Sequence, residues 1–306
     1  ALHLLLVVSK GRRLSLLLRS ARPGGAPPLR TAWLTGMYLG SYAMDNLLFS
    51  QAGVGSRVLL LQRAGVPLLA AVGSQVLDKV LEGLGLLVLL PLCGAALQRP
   101  GLLTLPAVWP ARTLLWAGLL ALLLLGGLWA LRLRLQGLWR LRLSPALADA
   151  FRLAEALRAP RLLAEVLALT LLGWALELAM VTQVARAFAA PLSASGGAVT
   201  LVLVSLAMLV PGLPANVGPF EAAATLGFQA QGLAPARAFL AALVYHATHT
   251  VPVTLIGLPL LRWLPRRAGA AVSASAVSAS AVSASAVDNH GAAAALVVDN
   301  HGAAAA

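Results

Sequence analysis

Residues 238–261 have the sequence AFLAALVYHATHTVPVTLIGLPLL, which contains no Asp, Glu, Lys or Arg. Residues 113–131 and 187–220 are two further runs without a charged side chain. A helix needs roughly 18 or more such residues to cross a bilayer core of about 30 Å, and each of these runs is long enough. The sequence therefore predicts an all-α polytopic membrane protein.

The composition of the whole chain favours the same class of protein. Apolar residues make up 59% of the 306 residues and charged residues 11%, with a mean hydropathy of +0.85. Soluble domains carry about 25% charged residues, so a water-soluble fold is excluded. The single cysteine, Cys93, excludes an intramolecular disulfide and a cysteine cluster for zinc.

Basic residues outnumber acidic residues by 23 to 10, and they cluster between the hydrophobic segments. On a soluble protein this excess of basic residues would suggest nucleic-acid binding. In a membrane protein it predicts the orientation of the chain and contact with anionic membrane lipids. The positive-inside rule places residues 10–30, 132–161 and 262–267 in the cytoplasm. We expect a multi-pass protein of a bacterial cytoplasmic (inner) membrane, with membrane lipids and no nucleic acid as partners.

Two domains are predicted. Residues 1–267 form a membrane domain, in which residues 1–8 are interpreted as the end of a first span. Residues 268–306 repeat Ala-Val-Ser-Ala-Ser three times and are predicted to be a disordered low-complexity tail, because they contain too few large apolar side chains to form a core. The membrane domain has six to seven hydrophobic segments, near residues 31–49, 68–92, 113–131, 163–185, 194–212, 214–232 and 236–263.

Two segments cannot continue as straight helices, and they occupy related places in the two halves of the domain. The first is residues 45–57, DNLLFSQAGVGSR, and the second is residues 211–221, PGLPANVGPFE. Proline removes a backbone donor and glycine loosens the helix, so both segments are predicted to be broken or re-entrant. Paired breaks in pseudo-repeated halves indicate a transport site, because lipid tolerates broken backbone only where protein or a cavity covers it.

These broken segments carry a resemblance to a known family. Residues 214–221, with Tyr245 and His246 later in the chain, resemble the Pro-Gly-Gly-x-Gly-x-x-Glu and Tyr-Arg patterns of the membrane domain of lysylphosphatidylglycerol synthases, also called the flippase-like domain. Residues 46–57 resemble an earlier pattern of that family, and residues 78–82, DKVLE, resemble its Glu-Arg-x-x-Asp. The resemblance covers most of residues 1–267.

The resemblance implies a protein that binds an anionic phospholipid or a lipid-linked sugar, and translocation of that lipid across the cytoplasmic membrane is the expected activity. We do not assign lysyl transfer to this chain, because the aminoacyl-transferring domain of the family is a separate soluble domain. Neither a catalytic residue nor a cofactor is predicted, and the oligomeric state stays open. The expected substrate-binding residues are Asn46, Gly53, Arg57, Asp78, Lys79, Glu82, Pro214, Gly218, Glu221, Tyr245 and His246.

Two alternative functions remain open from the sequence. One is a non-catalytic membrane anchor or accessory subunit that binds a cytoplasmic lipid-modifying enzyme or glycosyltransferase through residues 132–161. The other is an enzyme with a site among Asp78, Glu82 and Glu221 that acts on a polyprenyl-linked substrate. The absence of a recognisable nucleophile and base pair disfavours the enzyme.

Helical spacing gives the first expectations for the charged residues. Asp78 and Glu82 share a helix face, and Lys79 reaches Glu82 at i+3, which leaves one acid spare. Glu221 is either a functional carboxylate or an N-terminal helix cap, and both roles can hold together. Glu177 must face protein or water, and the sequence does not identify its partner.

The two histidines of the last hydrophobic segment also share a face. His246 and His249 are three residues apart, with Tyr245 and Thr250 as neighbours. Polar packing inside the bundle is the first interpretation and a proton-linked role is the second. A shared metal ion is the least favoured interpretation and no metal site is predicted, because no acid or cysteine nearby along the chain completes the ligand set.

Overall fold

The computed structural model describes residues 1–21, 28–49, 51–97, 152–190, 194–208 and 213–264, and all regular structure in these ranges is helical. This confirms the all-α prediction. Besides a short helix at 152–156 and a 3₁₀ turn at Pro214–Asn216, the helices are α1 Leu2–Ala21, α2 Thr31–Leu47, α3 Ala52–Arg63, α4 Leu68–Leu97, α5 Pro160–Ala187, α6 Ala194–Ala207, α7 Pro219–Ala230 and α8 Pro235–Leu264.

Two of these helices are long and apolar enough to cross a membrane. They are α5, with 28 residues, and α8, with 30 residues, and they correspond to the predicted segments 163–185 and 236–263. The segment at 113–131 and the tail at 268–306 lie outside the described residues. The count of six to seven segments and the pseudo-repeat of two halves stay predictions.

The first predicted break is present between α2 and α3. The chain turns after Leu47 with a left-handed Gln51 (φ 81°), and α3 packs back against α2. With 12 residues α3 is about 18 Å long, too short to cross the bilayer core. Gly53 permits this close return, because a Cβ at its position would collide with the carbonyl oxygen of Ser41.

The second predicted break is also present. Between α6 and α7 the chain forms the 3₁₀ turn Pro214–Asn216, in which Ala215 and Asn216 have φ values of 58° and 57°. Gly218 follows with φ 96°, and α7 begins at the next residue. The 3₁₀ turn packs against α2, so the second break lies beside the helix that ends at the first.

The start of the chain differs from the prediction. Residues 1–8 were expected to end a span and residues 10–30 to form a cytoplasmic segment, yet α1 runs without interruption through Lys10 and Arg13. It packs between α2 and α5, and its buried face includes Leu14 and Leu17. The helix continues because acids of α4 neutralise Lys10 and Arg13 inside the bundle.

The buried apolar side chains form two clusters. One joins α1, α2 and α3 to the beginnings of α4 and α5, and the other joins α6 and α7 to the ends of α4 and α5. Helix α8 contributes to both, with Tyr245 in the second cluster and Val253 in the first. The polar side chains His246 and His249 therefore lie on the part of α8 between its two apolar contacts.

Candidate functional site

Glu221 lies in the first turn of α7, and its carboxylate has two partners. Oε2 accepts a hydrogen bond from the backbone N–H of Gly218 at 2.7 Å, which is the capping contact expected from the sequence. Oε1 lies 2.5 Å from Nδ1 of His246 on α8. Both side chains are buried, with 11% and 8% of their surface exposed. One carboxylate thus caps α7 and joins it to α8.

Both ring nitrogens of His246 face oxygen atoms that accept hydrogen bonds. Nε2 lies 2.9 Å from the carbonyl oxygen of Ala215, in the broken segment, while Nδ1 faces Glu221. A neutral imidazole has only one N–H, so the pair of side chains satisfies both contacts only when it holds one additional proton. The ring also stacks on Phe220, with centroids 4.3 Å apart. The site is therefore an acid and imidazole pair at a helix break.

Glu177 of α5 has the partner that the sequence did not identify. Its Oε2 atom lies 2.9 Å from Nε2 of His249, and Nδ1 of His249 lies 3.0 Å from the carbonyl oxygen of Tyr245. The hydroxyl of Tyr245 is 3.4 Å from the same carboxylate oxygen. His246 and His249 thus contact different acids, so the interpretation that they share one metal ion is wrong.

Sequence reasoning also missed His3. This side chain of α1 packs edge-on against His249, with ring centroids 4.6 Å apart. No spacing rule connects residue 3 to residue 249. The sequence also did not predict α1 as a continuous helix of the bundle, so it gave no reason to place His3 beside α8. The remaining signal was a histidine inside an apolar stretch, which usually needs a polar partner.

A second polar cluster contains Asp78, Lys79 and Glu82 of α4, and basic side chains of α1 complete it. Lys79 bonds Glu82 at 3.0 Å, as predicted. The expectation of one spare acid is wrong, because Asp78 pairs with the guanidinium of Arg13 and Glu82 also bonds Lys10 at 2.6 Å. The error arose because both bases were assigned to a cytoplasmic segment. The cluster joins α1 to α4 through neutralised charges.

Arg57 is buried inside the α2–α3 hairpin, with 3% of the residue exposed. Its Nε donates to Oε1 of Gln75 at 2.6 Å, and Nη1 donates to the hydroxyl of Ser41 at 3.3 Å. The guanidinium also lies 5.3 Å from the ring centre of Tyr38. These contacts link α3 to α2 and α4, and a role in lipid binding stays a prediction.

The remaining residues of the first break make local contacts. Asp45 accepts the backbone N–H of Gly53 at 2.7 Å and so caps the start of α3. The side chain of Asn46 donates to the hydroxyl of Thr254 at 2.8 Å and to the carbonyl oxygen of Thr250 at 3.3 Å. The end of α2 is therefore bonded to α8 one turn beyond the histidines.

A cavity of about 600 Å³, largely open to the surface, lies between α7 and α8, beside Glu221. The hydroxyl of Thr225 is buried and has no hydrogen-bond partner among the residues that the structure describes. The expected site residues Gly218 and Glu221 line this cavity, whereas Pro214 lies in the adjoining 3₁₀ turn. The lining residues are Val217, Gly218, Glu221, Ala222, Thr225, Leu226, Gln229, Phe239 and Leu243.

The comparison with protein families agrees with the resemblance in the sequence. The model of the lysylphosphatidylglycerol synthase TM region matches residues 1–257, which include all the predicted site residues. The chain belongs to this family. It is a membrane protein of a family related to lipid handling. Neither the search of curated proteins nor the search of solved structures gave a match.

Proposed function

We propose that this member of the lysylphosphatidylglycerol synthase TM family binds an anionic phospholipid or a lipid-linked sugar and moves its headgroup across the cytoplasmic membrane. The observation that carries the proposal is the cavity between α7 and α8, with Glu221 on its wall. Ligand sites are typically apolar cavities that contain a few polar groups, and this cavity has that composition.

The lining of the cavity suits an amphipathic ligand. Leu226, Phe239 and Leu243 offer contacts to a hydrocarbon chain. The side chain of Gln229 offers hydrogen bonds to hydroxyl or phosphoryl groups.

The two helix breaks support movement as well as binding. The 3₁₀ turn of the second break packs against α2, and Asn46 at the first break bonds α8. Broken backbone in a membrane is tolerated where it lines a cavity or is covered by protein, and such breaks mark binding sites in transporters. The chain also carries a formal net charge of +13, which attracts anionic lipids.

The binding half of the proposal is tested with a variant that fills the cavity. Ala222 lines the cavity, so Ala222→Trp should reduce the amount of phospholipid or lipid-linked sugar that co-purifies with the protein, as measured by mass spectrometry. Leu240→Trp introduces the same side chain at an exposed position of α8 outside the cavity and should retain the lipid. Equal lipid retention by both variants would contradict the assigned site.

The translocation half is tested with Glu221→Gln. Gln can still accept the N–H of Gly218, so the loss of the helix-dipole interaction should cost only about 0.3–1 kcal/mol of stability. It has no carboxylate that could exchange a proton with His246. We expect the variant to fold and bind lipid but to lose translocation of a fluorescent phospholipid in reconstituted vesicles. Translocation at the rate of the unmodified protein would leave Glu221 as a cap only.

A further inference from the structure

We propose that His3, Glu177 and His249 form a binding site for a divalent transition-metal ion such as Zn²⁺. The three side chains come from α1, α5 and α8, and one ligand atom from each lies within 4.8 Å of the others. Imidazole nitrogen and carboxylate oxygen are ordinary ligands of zinc. The site is separate from the cavity between α7 and α8, and the inference does not rest on the proposed function.

The hydrogen bonds of His249 orient the ring for a metal. Its Nδ1 atom lies 3.0 Å from the carbonyl oxygen of Tyr245, so in the neutral ring Nδ1–H donates there and Nε2 carries a lone pair. This is the arrangement that fixes the tautomer of metal-binding histidines. Nε2 then faces Oε2 of Glu177 at 2.9 Å, and two acceptors at this distance repel unless a cation or a proton lies between them.

His3 supplies the second, independent observation. Its Nδ1 atom is buried and has no hydrogen-bond partner within the described part of the chain. Its ring packs against His249, with centroids 4.6 Å apart, so the unsatisfied side chain lies next to the repelling pair. A metal ion bound by all three side chains would satisfy His3 and remove the repulsion between His249 and Glu177.

The other acid and imidazole pair lacks these features. Glu221 and His246 have no third ligand, since the group around His3 is the one set of three such donors among the described residues. The ring of Phe220 covers a face of His246 at a centroid distance of 4.3 Å. The Glu221–His246 pair is therefore suited to a proton, and it provides a control within the same helix.

The dimensions require a small adjustment of the side chains. Zinc bonds to nitrogen and oxygen are about 2.0–2.2 Å long, so tetrahedral ligands are separated by about 3.4 Å. The widest separation in the cluster is at most 4.8 Å and must close by no more than about 1.4 Å, whereas the 2.9 Å between Nε2 of His249 and Oε2 of Glu177 must widen by about 0.5 Å. Three protein ligands leave one position for water. The nearby charge of Lys10 opposes a cation at this site, and its pairing with Glu82 at 2.6 Å offsets part of that effect.

The test is zinc binding by purified protein comprising residues 1–306 in detergent. The chain has five histidines, and His290 and His301 lie in the tail, so both are replaced by Ala in every protein compared. After chelator treatment, calorimetric titration with ZnCl₂ should show one equivalent of saturable binding. His3→Ala and Glu177→Gln should each weaken the affinity by at least tenfold, since even changes behind the ligands typically cost 10–100-fold.

His246→Ala is the matched control and should bind zinc as the parent protein does. Co²⁺ provides a second readout, because tetrahedral ligation gives visible absorption bands that His3→Ala should abolish. His3 makes no hydrogen bond through Nδ1 that its removal would break, so folding of this variant, checked by size-exclusion chromatography, is expected. Absence of saturable zinc binding, or equal affinity in the parent, His3→Ala and Glu177→Gln, would overturn the proposal and leave a proton between His249 and Glu177.

Discussion

Replacing Asp78 with Asn should destabilise the bundle strongly, because it removes the charge that compensates Arg13. The two side chains are 6% and 3% exposed, and they join α4 to α1. Removal of one partner from a buried pair typically costs about 3–5 kcal/mol, since the other charge stays buried. Glu82 lies 3.8 Å from the same guanidinium and offsets part of this loss, although it also bonds Lys10 and Lys79. We therefore expect a loss of about 3 kcal/mol.

The measurement is the free energy of unfolding in mixed micelles, followed by circular dichroism during a titration with denaturing detergent. Lys79→Met is the matched control, because Lys79 bonds the neighbouring acid at 3.0 Å but is 60% exposed. Exposed pairs contribute about 0–1 kcal/mol, so this control should change stability little. The double variant Arg13→Met, Asp78→Leu removes both charges and should recover most of the loss.

Two outcomes would contradict the expected effect of the uncompensated Arg13 charge. A loss in Asp78→Asn no greater than that in Lys79→Met would refute the conclusion that the Arg13–Asp78 pair is shielded from water. A double variant as unstable as Asp78→Asn would show that packing at these positions, rather than the uncompensated charge, causes the loss.

Two other predictions concern packing and orientation. Gly257→Ala should destabilise the protein by about 1–3 kcal/mol, since its Cβ would collide with a backbone carbonyl of α2. At Gly83 the added Cβ has open space, so Gly83→Ala should leave the stability unchanged or raise it by up to about 1 kcal/mol. Thermal unfolding in detergent measures both variants. For orientation, single cysteines at Gln98 and Gln136 in a cysteine-free background should react with a membrane-impermeant reagent from opposite sides of the membrane, and labelling from the same side would refute the predicted topology.

Apart from α1, the sequence predicts the described helices and their breaks well, because both depend on local chemistry. The starts of α2 and α5 differ from the predicted segments by at most three residues, since Thr31 and Pro160 follow polar or proline-rich stretches. The second break was predictable from its prolines and from Gly218, whose φ of 96° is uncommon for other residues. The capping contact of Glu221 followed from its place in the first helical turn.

The partners of the polar residues were not predictable in the same way. Lys10 pairs with an acid 72 residues away, and Glu177 pairs with a histidine at the same separation. Local periodicity identifies which side chains share a helix face, but it does not determine which helices become neighbours. Helical spacing therefore gave the Lys79–Glu82 contact correctly and missed Lys10, Arg13 and His3 altogether.

The error at α1 shows what the positive-inside rule can and cannot decide. The rule counts basic residues in loops, and it has no means of recognising a base that pairs with an acid inside the bundle. Lys10 and Arg13 must be removed from the count for residues 10–30, because they face Glu82 and Asp78. Of the six bases in this range four remain, at positions 12, 19, 22 and 30, and no acid lies among them. The remaining bases therefore still predict the same orientation, which stays a prediction. The pairing adds a constraint: since an uncompensated charge is costly in lipid, α1 and α4 must be inserted side by side.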